Sequence, residues 1–249
     1  MINLMQGDCL ERMKEIPDGS VDMVLTDPPY GTTQCKWDSV IPFEPMWEHL
    51  KRVTKKNGTI VMTASQPFTS ALVMSNAKMF KYEWIWQKNR GSNFGSVKYQ
   101  PMKEHESVLI FGGRNYYPIK EPRKGSGGDR VKYKFNGSNT GKREQYSSFR
   151  DNRKDHFESD LRFPSSIQKF NTEVGLHPTQ KPVALMEYLI KTYTNEGEIV
   201  LDFTMGSGTT GVAAKSLNRS FIGIELDETY FNIAKNRIES SNPLGDFFK

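Results

Sequence analysis

Four consecutive residues, Asp27-Pro28-Pro29-Tyr30, combine groups that could hold a planar, hydrogen-bonding molecule. They follow a short apolar run, 21–25, which is typical of a buried strand. The prolines remove two backbone N–H donors and stiffen the loop, while their carbonyl oxygens can still accept hydrogen bonds. A carboxylate, a carbonyl oxygen and an aromatic ring together suit the exocyclic amine of a nucleobase. The alternative is a proline turn capped by an aspartate.

A second candidate site is a glycine-rich turn between a predicted strand and a predicted helix. Its residues match the dinucleotide pattern G-x-G-x-x-G and are Gly206, Ser207, Gly208, Thr209, Thr210 and Gly211. Glu225 comes 19 residues after Gly206, at the end of the next predicted strand, where a carboxylate could accept from both hydroxyls of a ribose. The pattern therefore indicates a ligand that carries a ribose.

The residues after this turn and its position in the chain limit the classes of protein that could contain it. A P-loop is excluded because Gly211 is followed by valine rather than by Lys-Ser or Lys-Thr. The turn alone leaves a nicotinamide-dependent dehydrogenase open. However, only 38 residues follow Gly211, too few for the remaining strands of a nucleotide-binding sheet. Those strands must come from the N-terminal half, so the sheet is expected to be circularly permuted.

The elements that must position both sites alternate between strands and helices, which predicts an α/β fold. Predicted strands cover 1–5, 21–25, 59–63, 82–87, 107–111, 198–203 and 220–226, with 82–87 and 107–111 as an antiparallel pair. Predicted helices cover 10–16, 43–53, 67–79, 182–193, 212–217 and 230–238, and Asn57-Gly58 is expected to close the second of them.

Composition excludes some broad classes. The 249 residues are 36% hydrophobic and 25% charged, as in a globular domain. No apolar run approaches the ~18 residues of a membrane span, and no signal peptide is evident. We expect a cytoplasmic protein without a membrane partner. Cys9 and Cys35 lack the spacing of a metal site, so no metal is expected.

Positive charge is concentrated in one segment. Residues 112–170 hold 14 Lys and Arg against 7 Asp and Glu, whereas the rest of the chain holds 20 against 22. This balance favours an insert that contacts nucleic acid over a disordered basic loop. The residues expected to contact DNA are Lys132, Lys134, Lys142 and Arg143.

Four motifs resemble, in family order, those of the β group of DNA amino-methyltransferases. They are Thr-Asp-Pro-Pro-Tyr-Gly, His-Pro-Thr-Gln-Lys-Pro, Leu-Asp-Phe-Thr-Met-Gly-Ser-Gly-Thr-Thr and Gly-Ile-Glu-Leu-Asp. The resemblance covers 1–111 and 175–239. It implies a circularly permuted Rossmann-like methyltransferase sheet with an inserted target-recognition region. Residues 1–111 would form the catalytic half, 112–174 the insert and 175–249 the half that binds S-adenosylmethionine.

The resemblance also implies an activity. The enzyme would flip a base out of double-stranded DNA and methylate adenine at N6, since an aspartate opens the catalytic tetrapeptide. Cytosine-N4 methylation is the alternative within the class, and a catalytically silent regulator that binds S-adenosylmethionine and DNA is the alternative outside it. The sequence leaves a homodimer open, and a restriction endonuclease partner would be a separate chain.

Roles for individual residues follow from the same resemblance. Glu225 would bind the ribose hydroxyls, Asp8 the amine of the cofactor adenine, and Cys9 would lie beside that ring through its backbone. Asp8 could equally be a helix cap. The residues assigned to the methionine portion of the cofactor are Asp202, Phe203, Gly206, Ser207, Gly208 and Thr209. Lys181 would lie nearby, either as a partner of the cofactor carboxylate or as a solvated lysine. Thr204 departs from the family pattern, which usually has phenylalanine at that position.

Overall fold

The computed structural model describes residues 1–32, 38–122, 161–173, 175 and 180–242. The chain divides into two compact units, Met1–Tyr117 with Ser166–Lys249, and Pro118–Ser165. Residues 112–117 and 166–173 therefore belong to the larger unit, although the sequence analysis placed both stretches in the insert. Their packing explains the difference, because the Tyr117 N–H donates to the Thr192 carbonyl oxygen at 2.8 Å and residues 167–169 pair with the strand Phe80–Ser92.

The larger unit contains most of the regular structure. Its strands are β1 (Ile2–Gln6), β2 (Val21–Thr26), β3 (Thr54–Ala64), β4 (Phe80–Ser92), β5 (Lys103–Gly112), β8 (Ile167–Lys169), β9 (Ile199–Asp202) and β10 (Ser220–Glu225). Its α-helices are α1 (Cys9–Arg12), α2 (Phe43–Val53), α3 (Phe68–Ser75), α4 (Val183–Tyr193), α5 (Thr209–Ser216) and α6 (Glu228–Ser240). In the smaller unit, β6 (Glu121–Pro122) pairs antiparallel with β7 (Leu161–Arg162).

The strands of the larger unit form one mixed sheet in the order β1-β10-β9-β2-β3-β5-β4-β8. Strands β1, β10, β9, β2 and β3 are parallel, and β5 runs antiparallel to both β3 and β4. The C-terminal strands β9 and β10 lie between β1 and β2, which confirms the permuted α/β sheet. After β9 the chain continues to β10 on one side of this central pair, and after β2 it continues to β3 on the other side. The carboxyl ends of this central pair therefore form a topological switch point, where open α/β sheets bind ligands.

Alternate residues of the central strands enter two hydrophobic layers. Leu25 of β2 packs in the layer that contains Leu189 of α4 and Ala213 of α5. Its neighbour Val24 packs in the layer that contains Leu50 of α2. Strand β2 is buried along its whole length, as expected for a parallel strand covered on both faces. Helices on both faces thus hold the central strands, and with them the loops at their carboxyl ends, in a fixed position.

The helix end predicted at Asn57-Gly58 is wrong. Helix α2 ends at Val53, and β3 already begins at Thr54, so Asn57 and Gly58 lie in a strand rather than closing a helix. A Cβ atom added to Gly58 would lie 2.8 Å from the carbonyl oxygen of Asp22. Glycine is therefore needed here because β3 approaches β2 closely. The predicted antiparallel pair is confirmed by β4 and β5, and both of its tryptophans are buried in the core.

Candidate active site

Four parallel strands bring the predicted site residues to one edge of the sheet, which we call the active-site edge. Asp27 follows β2, Gly206 lies four residues after β9, Glu225 ends β10, and Asp8 lies two residues after β1. Hydrogen bonds join these positions. The Gly7 N–H donates to the Glu225 carbonyl oxygen at 2.9 Å, and the Gly206 N–H donates to Glu225 Oε2 at 2.8 Å.

Thr204 links the loop that begins at Asp27 to the glycine turn. Its hydroxyl donates to the carbonyl oxygen of Asp27 at 3.2 Å and lies 2.6 Å from the Thr26 hydroxyl. The Thr26 hydroxyl in turn donates to Asp202 Oδ1 at 2.7 Å. The position that departs from the family pattern therefore fixes the two candidate sites to each other across the switch point.

The two residues before Thr204 point into the protein. Burial raises the pKa of Asp202 to about 6, and its carboxylate accepts from Thr26 and from the Thr204 N–H at 3.1 Å. Only 1% of Phe203 is exposed, and its side chain packs in the layer that contains α2. Phe203 therefore offers almost no surface to a cofactor, and Asp202 acts in this structure as a bridge between β2 and β9.

The carboxylate of Asp27 is held by three side chains. Its Oδ1 atom accepts from the Tyr30 hydroxyl at 2.7 Å and from the Thr63 hydroxyl. Its Oδ2 atom accepts from the Lys181 ammonium at 2.6 Å. A carboxylate has about four lone-pair sites. The described residues occupy three of them, which leaves one acceptor site on Oδ2 that none of these residues uses.

Lys181 belongs to a buried chain of charges that the sequence analysis did not foresee. Its ammonium lies 3.3 Å from Glu106 Oε2, and Glu106 Oε1 accepts from Lys88. Burial would lower the pKa of Lys181, but Asp27 and Glu106 outweigh it and raise that pKa. Burial would likewise raise the pKa of Glu106, but Lys181 and Lys88 outweigh it and lower that pKa. Lys181 is thus a charged partner of Asp27. It is not a solvated lysine, and its ammonium is already paired within the protein.

The ring of Tyr30 is partly engaged within the protein. It stacks on Phe68 with ring centroids 5.2 Å apart and an interplanar angle of 24°. The Lys181 ammonium lies 5.6 Å from the centre of the Tyr30 ring. Burial, followed by the nearby charge of Asp27, raises the pKa of the phenol well above its ordinary value. Tyr30 therefore stays protonated and donates its hydrogen bond to Asp27.

The glycines of the turn serve different purposes. Gly206 has a φ of +52°, and an added Cβ atom would meet no atom of the described residues within 4 Å. At Gly208, with a φ of +79°, a Cβ atom would lie 2.9 Å from Cβ of Ala234 in α6. The Arg237 guanidinium of α6 donates to the Ser207 carbonyl oxygen at 3.2 Å and to Thr209 Oγ1 at 2.9 Å. The turn is thus anchored to α6 through residues 207–209 and open at Gly206.

Asp8 and Cys9 lie where β1 meets α1. Asp8 Oδ1 accepts from the backbone N–H groups of Leu10 at 2.8 Å and Glu11 at 3.2 Å, which confirms the helix cap. Its role toward a cofactor stays a prediction. Burial, together with the charge of Asp8, raises the pKa of the Cys9 thiol to about 12. The thiol is therefore protonated at neutral pH, which agrees with a contact through the backbone and not with nucleophilic chemistry.

Other predictions fall elsewhere in the chain. Lys132, Lys134, Lys142 and Arg143 lie outside the described residues. Within the described part of the chain, no cluster of His, Cys, Asp and Glu could hold a metal ion. No helix in that same part is long and apolar enough to cross a membrane.

Sequence comparison identifies the class of protein to which this fold and this arrangement of loops belong. The chain belongs to the N6_N4_Mtase family of DNA methylases, whose profile matches residues 21–236. It is 31% identical to the type II methyltransferase M.HpaI of Haemophilus parainfluenzae, over 95% of this chain and 74% of that protein.

Solved structures support the same class. The crystal structure of M1.HpyAVI in complex with SAM superimposes with a TM-score of 0.63 at 27% identity, covering 96% of this chain and 99% of that one. The cytosine-N4-specific PvuII DNA methyltransferase superimposes with a TM-score of 0.66 at 16% identity, covering 95% of this chain and 86% of that one. The second likeness concerns the fold alone, and a cytosine-N4 enzyme shares it. The fold therefore does not decide between adenine and cytosine.

Proposed function

We propose that this DNA methyltransferase transfers a methyl group from S-adenosylmethionine to the N6 amine of adenine in double-stranded DNA. The observation that carries the proposal is the position of Asp27, whose carboxylate stands at the switch point with one acceptor site left open by the described residues. The aspartate is the basis for choosing adenine, because the resemblance associates a serine at that position with cytosine.

The residues at the active-site edge fit the cofactor. The face of Gly206 is open, and the Glu225 carboxylate lies against it through the Gly206 N–H. Both features suit a ribose whose hydroxyls donate to Glu225. Asp8 and the backbone of Cys9, which follow β1 beside β10, would contact the adenine ring. When bound, S-adenosylmethionine supplies an activated methyl group on its sulfonium.

Asp27 and the Pro28 carbonyl oxygen would accept from the two N–H groups of the target amine. The nitrogen lone pair, which is otherwise delocalised into the base, would then point at the methyl group. These hydrogen bonds strengthen as positive charge develops on nitrogen, so they stabilise the transition state more than the ground state. Lys181 and Thr63 orient the carboxylate for this task and keep it an acceptor.

The target base must leave the duplex to reach Asp27, which costs a few kcal/mol. Stacking on an aromatic ring returns roughly 1–3 kcal/mol per base. Tyr30 is the candidate for this contact because it adjoins Asp27. Its packing on Phe68 holds the ring in place before the base arrives.

The modified base is directly measurable. DNA methylated by the purified protein, digested to nucleosides and separated by mass, is expected to contain N6-methyladenine. Unmodified DNA from the same host and a reaction without S-adenosylmethionine are the controls. Predominant N4-methylcytosine would overturn the choice of base and support the alternative enzyme, whereas no modified base would support the silent regulator.

Replacement of Glu225 by alanine is expected to weaken the binding of S-adenosylmethionine by about tenfold to 100-fold. Hydrogen bonds to a charged group are worth about 1.5–3 kcal/mol each, and the ribose would lose its acceptor. Calorimetry measures the affinity, and turnover should recover at high cofactor concentration. Glu228→Ala, at an exposed carboxylate three residues further on, is the matched control. Unchanged affinity in Glu225→Ala would contradict the ribose assignment.

Further partners remain proposals. The basic residues Lys132, Lys134, Lys142 and Arg143 would contact DNA phosphates from the target-recognition segment. A homodimer and a restriction endonuclease on a separate chain are both compatible with a type II relative.

A further inference from the structure

The β4–β5 hairpin extends past the active-site edge. Ala64, the last residue of β3, pairs with Ser107 of β5, so the four residues from Lys103 to Glu106 continue beyond the end of β3. At about 3.3 Å per residue, this places the hairpin tip, residues 93–102, more than about 13 Å beyond the strand ends. Glu106 at the base of this extension contacts Lys181, the partner of Asp27. The hairpin therefore rises directly from the active site.

The hairpin tip is a built turn. Asn93 adopts a left-handed conformation, with φ of +63°, and its Oδ1 atom accepts from the Lys103 N–H at 2.9 Å. The Tyr99 N–H donates to the Ser96 carbonyl oxygen at 2.9 Å. These bonds close the turn across its base and within its loop. Side chains on the tip are thus presented from an ordered backbone.

Large apolar side chains on this turn face solvent. Phe94 is 68% exposed and Tyr99 is 90% exposed, and Val97 and Met102 are exposed beside them. Such a group of apolar side chains on a projecting turn contributes nothing to the core. It is typical of a surface that binds another molecule.

The charged residues at the hairpin tip indicate which kind of molecule this surface binds. Residues 89–103 contain Arg90, Lys98 and Lys103 and no Asp or Glu. Among the described residues, none of these three cations forms a salt bridge with a carboxylate. A second copy of the chain would bring like charges together at this tip. A polyanion with flat, stackable bases suits both the cations and the aromatic rings.

We propose that the hairpin tip binds the DNA duplex beside the flipped base, with Arg90 and Lys98 on phosphates and Phe94 and Tyr99 against exposed base or sugar faces. This inference rests on the proposed DNA methyltransferase function. It assigns a DNA contact to the larger unit, separate from the basic target-recognition segment. The tip would hold the duplex while Asp27 and Tyr30 receive the base.

Two double variants test the charged and the aromatic parts separately. Arg90→Ala/Lys98→Ala should reduce the slope of log affinity for DNA against log salt concentration by about 1.8, since each lost phosphate contact contributes about 0.9 to that slope. Phe94→Ala/Tyr99→Ala should raise the KM for DNA about fivefold or more. Both should leave the affinity for S-adenosylmethionine unchanged. The probes are a fluorescent 30-base-pair duplex of mixed sequence for binding and unmethylated bacterial genomic DNA for methyl transfer.

The control variant is Lys78→Ala/Lys81→Ala, which removes two exposed lysines at the opposite end of β4. It should leave the KM for DNA and the salt slope near the wild-type values. If the wild type methylates DNA and both tip variants behave like this control, the inference fails while the proposed function stands. If the tip variants instead change the oligomeric state in light scattering, the tip is a protein interface. A wild type that methylates no DNA would overturn the proposed function and this inference together.

Discussion

Replacement of Asp27 by alanine is expected to lower kcat for methyl transfer by about 10²–10³-fold, as removal of one preorganised transition-state partner does in other enzymes. Asp27 offers its remaining acceptor site at the switch point, whereas Asp38, a second carboxylate in the same loop, accepts from the backbone N–H groups of Gly31 and Thr32. The loss should appear in kcat, because the interaction strengthens as charge develops on the amine. Single-turnover transfer of a labelled methyl group to DNA measures it.

Two further measurements separate a catalytic role of Asp27 from a structural one. Binding of S-adenosylmethionine by calorimetry should be nearly unchanged, since Glu225 and the glycine turn do not depend on the Asp27 carboxylate. Asp18→Ala, which removes an exposed carboxylate paired with Arg52, is the control for loss of a charge. Turnover of Asp27→Ala within tenfold of the wild type would contradict the catalytic role of Asp27.

Replacement of Lys181 by methionine is expected to lower the free energy of unfolding by about 3–5 kcal/mol. Lys181 is 6% exposed and contacts both Asp27 and Glu106, so the variant leaves two carboxylates without their shared cation. Chemical denaturation measures this loss. Lys191→Met, at an exposed lysine of α4, should change little.

Kinetics of the Lys181 variant distinguish its two candidate roles. A positioning role toward Asp27 predicts a lower kcat with an unchanged KM for S-adenosylmethionine. The role implied by the family resemblance, a partner for the cofactor carboxylate, predicts a higher KM and little loss of stability. The 2.6 Å contact with Asp27 favours the first outcome. A raised KM with an unchanged denaturation midpoint would contradict it.

The sequence by itself determined the class of fold and the two loops at the active-site edge. Asp27 and Tyr30 stand three residues apart, and Gly206–Thr209 are consecutive, so each motif is legible without any knowledge of the tertiary structure. The alternation of predicted strands and helices, together with the position of the glycine turn only 38 residues before the C-terminus, was sufficient to predict a permuted α/β sheet, which the strand order confirms. Such signals are local, because backbone conformation and side-chain periodicity depend on near neighbours.

Only the tertiary structure decided which distant side chains meet. Lys181 is 154 residues from Asp27 along the chain, and their contact depends on where α4 begins above the sheet. The contact with Glu106 depends on the register of β5 against β3, because a shift of one residue would turn the Glu106 side chain to the other face. The same register carries the exposed hairpin tip past the active site. Local sequence patterns do not encode pairing register over such separations, so these contacts could be found only in the folded chain.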